Sequence, residues 1–168
     1  MTDENKKNFL SPLNFKFIIK RAPNLNFFVQ AVNIPSLSLG SIEVNNPNLR
    51  VPYGDVHLIY DELKLTYAVD ENLANFMELH KWLRSLGKRT YKEYEELQDK
   101  KIFTGESLRS DISLSILTSH RNPNFEIVFR DSIPIFVGGL NFDTRENDVN
   151  YIVSEAVFRY VDYEIFEY

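Results

Sequence analysis

Three histidines, His57, His80 and His120, are the side chains best suited to bind a metal or move a proton near neutral pH, and they stand far apart in the chain. None belongs to an HxxxH or HExxH pattern, so a metal site would require their convergence in space. His80 falls on an apolar helical stripe, where a packed residue is expected. With no cysteine, thiolate ligands and disulfides are excluded. There is no GxSxG elbow and no phosphate-binding glycine loop, and Gly138-Gly139 lacks the rest of either motif. Glu95 and Glu96 lie in a run of mixed charge, where nothing would raise a carboxyl pKa far enough for general-acid work. Trp82 fits a binding-site aromatic or a core residue. The expectation is a protein without enzymatic activity, with no catalytic, cofactor-binding or metal site.

The chain has 168 residues, 43% of them hydrophobic, enough for one domain with a real core. Residues 13–168 read as that domain and residues 1–12 as a flexible arm. No apolar run suits a signal peptide and none approaches the roughly 20 residues of a membrane span, so a soluble protein without a membrane anchor, made in a cytoplasm, is expected. Residues 1–140 carry 17 basic and 17 acidic side chains, whereas residues 141–168 carry 2 basic and 7 acidic ones. The whole excess of acid sits at the end, which argues against a general nucleic-acid-binding face. It fits either a solvated acidic end or a surface that repels an anion.

The elements that must position these residues are mostly strands. Leu13, Phe15, Phe17 and Ile19 alternate as a first strand, and Asn26–Val32 reads as a second, paired with it in a hairpin. From Asn33 to Tyr60, prolines and glycines interrupt every apolar run, so a long excursion with at most short edge strands is expected. Leu63, Leu65, Tyr67 and Val69 alternate again, and Asp70 then reads as the N-cap of a helix closed by Gly87. Residues 88–101 suggest a short solvated helix or ordered loop. The last third reads as strands: Ile112–Ile116, a turn at Asn122-Pro123-Asn124, Phe125–Phe129, and Asp131–Val137 broken at Pro134. Gly138-Gly139 suggests a bulge or close backbone approach, and Asn147-Asp148 turns the chain into one long strand, Tyr151–Phe166, apolar on both faces. The tally is about eight strands and one principal helix.

Thirteen phenylalanines and nine tyrosines are a large aromatic area for one domain, and several sit on two-faced strands. An isolated monomer would expose patches that soluble monomers avoid, which points to assembly. The alternative is a β-barrel that binds a small molecule, with Trp82 and Gly138-Gly139 as pocket elements.

The order of features resembles the tail tube proteins of contractile-tailed bacteriophages, and more closely the tube-like domain of the baseplate proteins that initiate that tube. The strand-to-helix unit LKLTYAVDENLANFMELHKWLRSLG carries the likeness, as does the run DISLSILTSHRNPNFEIVFRDSIPIFVGGLNFDTRENDVNYIVSEAVFRYVDYEI. FFVQAVNIPSLSLGSIEV is similar to the family's second strand and following loop, with Ser36 where a glycine or small residue is common. The long N-terminal extension of the initiator is not seen, which leaves tube subunit, initiator and neck ring open.

The resemblance implies a mainly β fold, a two-sheet sandwich or barrel with one helix, assembled as a homo-hexameric ring in a virion tail. Its partners would be adjacent tube or baseplate rings and a surrounding sheath, with DNA passing through the lumen without specific binding. By position, Asn46, Pro47, Asn48, Leu49, Arg50, Val51, Pro52, Tyr53, Gly54 and Asp55 would form the loop reaching the adjacent ring. Leu73, Phe76, Met77 and Leu83 would anchor the helix, leaving Leu79, Trp82 and Leu86 for a neighbouring subunit. Asp143, Glu146 and Asp148 would be lumen acids, since lumens in this family tend to be acidic. The same fold serves bacterial contractile injection machines.

Overall fold

A computed structural model describes residues 9–46, 49–87, 108–145 and 150–168. The alternating residues form strands where expected: β1 (Phe15–Ile19), β5 (Leu63–Ala68) and β6 (Ser110–Leu117) each bury every second side chain. The other strands are β2 (Val29–Val32), β3 (Leu37–Asn46), β4 (Leu49–Tyr60), β7 (Pro123–Val137), β8 (Val153–Arg159) and β9 (Tyr163–Glu167), with one α-helix among the described residues, α1 (Ala74–Leu86). All pairings are antiparallel, in the order β1-β6-β7-β8-β5-β2, with β9 also on β7 and β3-β4 a separate two-stranded sheet. The fold is thus mainly β.

Strand β7 joins two layers. Its first ten residues lie between β6 and β9, and its last five pair with β8. The bend falls at Asp131, whose φ of 52° is left-handed and whose amide donates to the Asp111 carboxylate at 2.9 Å. The β8–β9 segment bends with it. Ile133 faces Arg159 and Phe129 faces Tyr163, while between them Arg130 exchanges backbone bonds with Val161 and Asp162 at 3.1 and 3.0 Å. The expected single long strand is therefore two strands that keep one register through a corner. The opposite correction applies to β7, which is not broken at Pro134. Strand β6 ends its pairing at Ser132, so beyond it a residue without an N–H borders an open edge.

The expected opening hairpin does not form. β1 pairs with β6 and β2 with β5, so the two strands stand at opposite ends of the strand order. Between them a 3-10 turn, Pro23–Leu25, buries Leu25. Asn26 then holds the chain by accepting the Ile19 amide at 2.9 Å.

Helix α1 starts later than expected. Asp70 is not its N-cap; Leu73 is, in a left-handed conformation with φ 55°. The buried Asn75 supplies the local bonds instead, accepting the Asp70 and Phe76 amides and donating to the Ala68 carbonyl at 2.9 Å. Gly87 is the C-cap with φ −90°, outside the left-handed region. The core lies between the two layers and under α1, built from Phe17, Ile19, Leu65, Tyr67, Leu79, Trp82, Ile127, Phe129 and Phe158 among others.

Candidate assembly surface

The space between the two layers is filled by side chains. Tyr67, Phe129, Phe158, Ile19 and Leu63 have no exposed surface. Trp82 packs against Phe158 with ring centres 5.9 Å apart, donates its indole N–H to the Leu108 carbonyl at 2.9 Å, and is covered by the Arg21 guanidinium at 5.3 Å. Gly138 is a close backbone approach, as expected. Its amide donates to Glu155 at 2.7 Å, and a Cβ there would stand 3.1 Å from the Glu155 nitrogen and the Ser154 hydroxyl. Trp82 is thus a buried core residue, and Gly138 is packed against the backbone of the neighbouring strand.

The residues singled out in the sequence separate into three groups. Leu79 and Trp82 are buried at 0% and 3% exposure within their own chain, and Leu86 packs on the same core. Leu79 and Trp82 therefore offer a neighbour little surface, while of the expected anchors Leu73, Phe76 and Leu83 are half-buried and Met77 is 45% exposed. Both helix flanks are apolar, so composition could not tell the core side from the solvent side. His80 is exposed too, stacked on Phe76 at 6.1 Å, and is not a packed core residue. His57 lies on β4 and His120 in the turn before β7, and no group of metal-ligating side chains occurs among the described residues.

Asp143 is exposed and tied to its own loop. Arg145 donates to it through its amide at 3.0 Å and its guanidinium at 2.9 and 2.7 Å, which holds the carboxyl below its ordinary pKa. Glu146 and Asp148 lie outside the described residues, as do Glu95, Glu96 and the 88–101 segment.

The stretch from Asn46 to Asp55 is not an irregular loop. It is the distal part of a long β3–β4 hairpin, paired from Leu37–Tyr60 out to Asn46–Leu49, with Pro47 and Asn48 outside the described residues. Nearer the barrel, cross-strand partners Leu37 and Tyr60, and Leu39 and Leu58, share one face. Leu37, Leu39 and Leu58 are about half exposed, and Ile59 on the other face is 56% exposed. These residues were missed as a surface. The alternation of Leu and Ser in SLSLGS was their signal, masked by the surrounding prolines and glycines.

Open edges were missed as well. Among the described strands, β1 and β9 each have a partner on one side only. β9 carries exposed apolar side chains, Ile165 at 58% and Phe166 at 46%. Through β6 and β7 the two strands run antiparallel to each other, so the layer β1-β6-β7-β9 ends in two complementary edges.

The hairpin's root is a cluster of tyrosines. Tyr60 meets Tyr160 at 5.9 Å and Tyr163 at 5.7 Å, both edge-on, and Phe129 backs the latter two at 5.0 and 5.6 Å. The Tyr160 hydroxyl donates to the Asp61 carbonyl at 2.8 Å. Partial burial and then the neighbouring Tyr163, Asp61 and Tyr60 push its pKa up to about 12.

No sequence-family model and no curated protein sequence matches the chain. Solved structures do. A chain of the anti-feeding prophage baseplate, solved with 6-fold symmetrisation, superposes with a TM-score of 0.63 at 12% identity, covering 96% of this chain and 97% of that one. A chain of the sheath–tube complex of an extracellular contractile injection system in its extended state gives 0.61 at 14% identity, with 97% and 95% covered. The cap that terminates the anti-feeding prophage tube gives 0.61 at 10% identity, with 96% and 93% covered. The chain has the fold of the phage tail tube type, shared with baseplate, tube and cap proteins of contractile injection systems.

Proposed function

We propose that the chain is a structural subunit of a tail tube-type ring, assembled as a homo-hexamer in a phage tail, with no enzymatic activity. The observation that carries this reading is the near-complete mutual coverage with baseplate, cap and sheath–tube chains, so that one fold unit corresponds to one whole neighbour. The surface supports it. An exposed edge at β9 and another at β1 allow one copy to continue the sheet of the next, a head-to-tail contact that closes when the rotation permits. The half-exposed leucines of the β3–β4 hairpin want a cover that the described residues do not supply.

In this reading the hairpin from Asn46 to Asp55 reaches the adjacent tube or baseplate ring, a sheath encloses the tube, and DNA passes through the lumen. Asp143, Glu146 and Asp148 face that lumen and discourage anion binding. The protein acts in the virion tail after assembly in a bacterial cytoplasm, as tube subunit, tube initiator or neck ring. A second reading is favoured by the sheath–tube neighbour: a tube-type subunit of a bacterial contractile injection system.

Light scattering after size exclusion, followed by electron microscopy of the peak, tests the proposal. Six-fold rings or stacked tubes are expected, with the three acids on the inner wall in a resolved map. A clean monomer at high concentration would overturn the assembly reading, and rings with those acids on the outside would overturn the lumen assignment alone.

A further inference from the structure

The β3–β4 hairpin forms a sheet of its own and shares no ladder with the barrel, so something other than strand pairing must set its angle. Its neck is closed on itself. Asn33 accepts the Lys64 amide at 2.6 Å and donates to the Glu62 carbonyl at 3.3 Å, the Asp61 amide donates to Ser36 at 3.1 Å, and the Ser36 hydroxyl bonds the Asp61 carboxylate. The Ser36–Asp61 bonds hold the two arms together, and Asn33, whose amide also donates to the Lys64 carbonyl at 3.1 Å, ties one arm to the start of β5. Beside the neck, a cleft of about 600 Å³ opens between Ile59, Tyr60 and Arg159, so the hairpin is not packed against the main body on that side.

Two contacts cross from the neck to the β8–β9 corner. One is the pair Glu62–Arg159, long at 3.3 Å and solvent-exposed, the kind of pair that adds little. The other is the tyrosine cluster, where Tyr60 at the end of β4 sits between Tyr160 and Tyr163, and the Tyr160 hydroxyl takes the Asp61 carbonyl at 2.8 Å. Tyr163 is the first residue of the open edge strand β9.

We propose that Tyr160 is a positioning residue that sets the angle of the β3–β4 hairpin on the barrel, and that Tyr163 couples this angle to the edge strand β9. The hairpin is then aimed before any neighbour arrives, which reduces the ordering that a contact through it would require. A shift of β9, as when another strand pairs with it, is felt at Tyr60 through a single ring contact. In the ring reading given above, lateral pairing and axial stacking become energetically linked, with the linkage reciprocal.

The chain has no cysteine, so a spin-label pair can be placed at two introduced cysteines with no native thiol to remove first. Ser41→Cys on the hairpin and Lys16→Cys on β1 report the hairpin-to-barrel distance by pulsed electron resonance, with labelled chain diluted in unlabelled wild type so that only intramolecular pairs are read. In the wild-type background the distance distribution is narrow. Tyr160→Phe, which removes only the hydroxyl, broadens it, and Tyr163→Ala broadens it further, roughly doubling its width, while the circular dichroism spectrum is unchanged. Equal, narrow distributions in wild type, Tyr160→Phe and folded Tyr163→Ala would overturn the proposal and leave the neck bonds in charge. Because the distance is read within one chain, this failure is separable from failure of the ring reading, which shows as a monomer in microscopy.

Discussion

The barrel and the hairpin are both built from alternating apolar strands, yet they end in opposite states. In the barrel, Leu63, Leu65 and Tyr67 of β5 face inward and are sealed by Phe158, Trp82 and Phe129 from other elements. In the hairpin, Leu37, Leu39 and Leu58 alternate in the same way, and about half of each remains in water. The pattern is the same and the partner differs. Alternation specifies which face of a strand wants cover, but only the second layer decides whether the cover comes from the same chain. Among the described residues, the two layers bury their apolar faces within the chain, and the hairpin leaves about half of its own in water.

The largest test of that division is at Trp82. Being 3% exposed, in contact with Phe158 and bonded to Leu108, it belongs wholly to the barrel. Trp82→Ala is expected to reduce folding stability by about 3–5 kcal/mol, read from urea unfolding followed by circular dichroism because the chain's one tryptophan is then gone. A loss below about 1 kcal/mol, with assembly impaired, would return the helix to a subunit contact and dissolve the contrast.

A smaller effect is expected at the boundary between the two regions. The Tyr160 hydroxyl is held protonated to about 12, against an ordinary value of 10, and burial also raises Tyr67 in the core. A group whose folded pKa is raised contributes its full share of stability below its unfolded value and loses it as the pH climbs through the folded one. Stability should therefore be level up to about pH 10 and decline between about pH 10 and 12. Melting curves across that range, alongside tyrosinate absorbance, would show it. Tyr160→Phe should shallow the decline without abolishing it, since Tyr67 remains. No change in slope would mean that the corner tyrosine contributes nothing at its junction.

Much of the barrel was legible because burial there is periodic. Phe17 and Ile19, Ile112 and Leu114, Ile127 and Phe129 fall on the alternation that the sequence shows. What was illegible is long-range. β1 and β2 are neighbours in sequence and sit at opposite ends of the strand order, a choice made by β5 and β6, which no local pattern announces. The helix could not be oriented, since apolar residues flank it on both sides. Its start was displaced because Asn75 satisfies the backbone from inside the first turn, a job that sequence rules give to a residue before it. Pro52 argued against a strand, yet it pairs opposite Glu43 in a two-stranded sheet, where each strand has an unpaired side for a residue lacking an N–H. As for the candidate surface, the hairpin's position was legible and its form was not. The open edge of β9 was hidden because the break at Tyr160–Asp162 has no glycine or proline to mark it.

The smallest expected change in stability is also the one that isolates the hairpin. Leu39 and Leu58 face each other across the strands, and at 54% and 51% exposure their replacement removes little buried area from the folded chain. The double substitution Leu39→Ser, Leu58→Ser should therefore lower folding stability by about 1–2 kcal/mol, well below the loss expected at Trp82. If the hairpin face is an assembly surface, the same variant loses higher-order association in sedimentation at concentrations where the wild type shows it. Serine already stands in β3 at Ser38 and Ser41, so with an unchanged circular dichroism spectrum a loss of association would follow from the missing apolar contact. A variant destabilised as far as Trp82→Ala would instead mean that these leucines already have a partner within the chain, and the contrast between barrel and hairpin would fail at its exposed end.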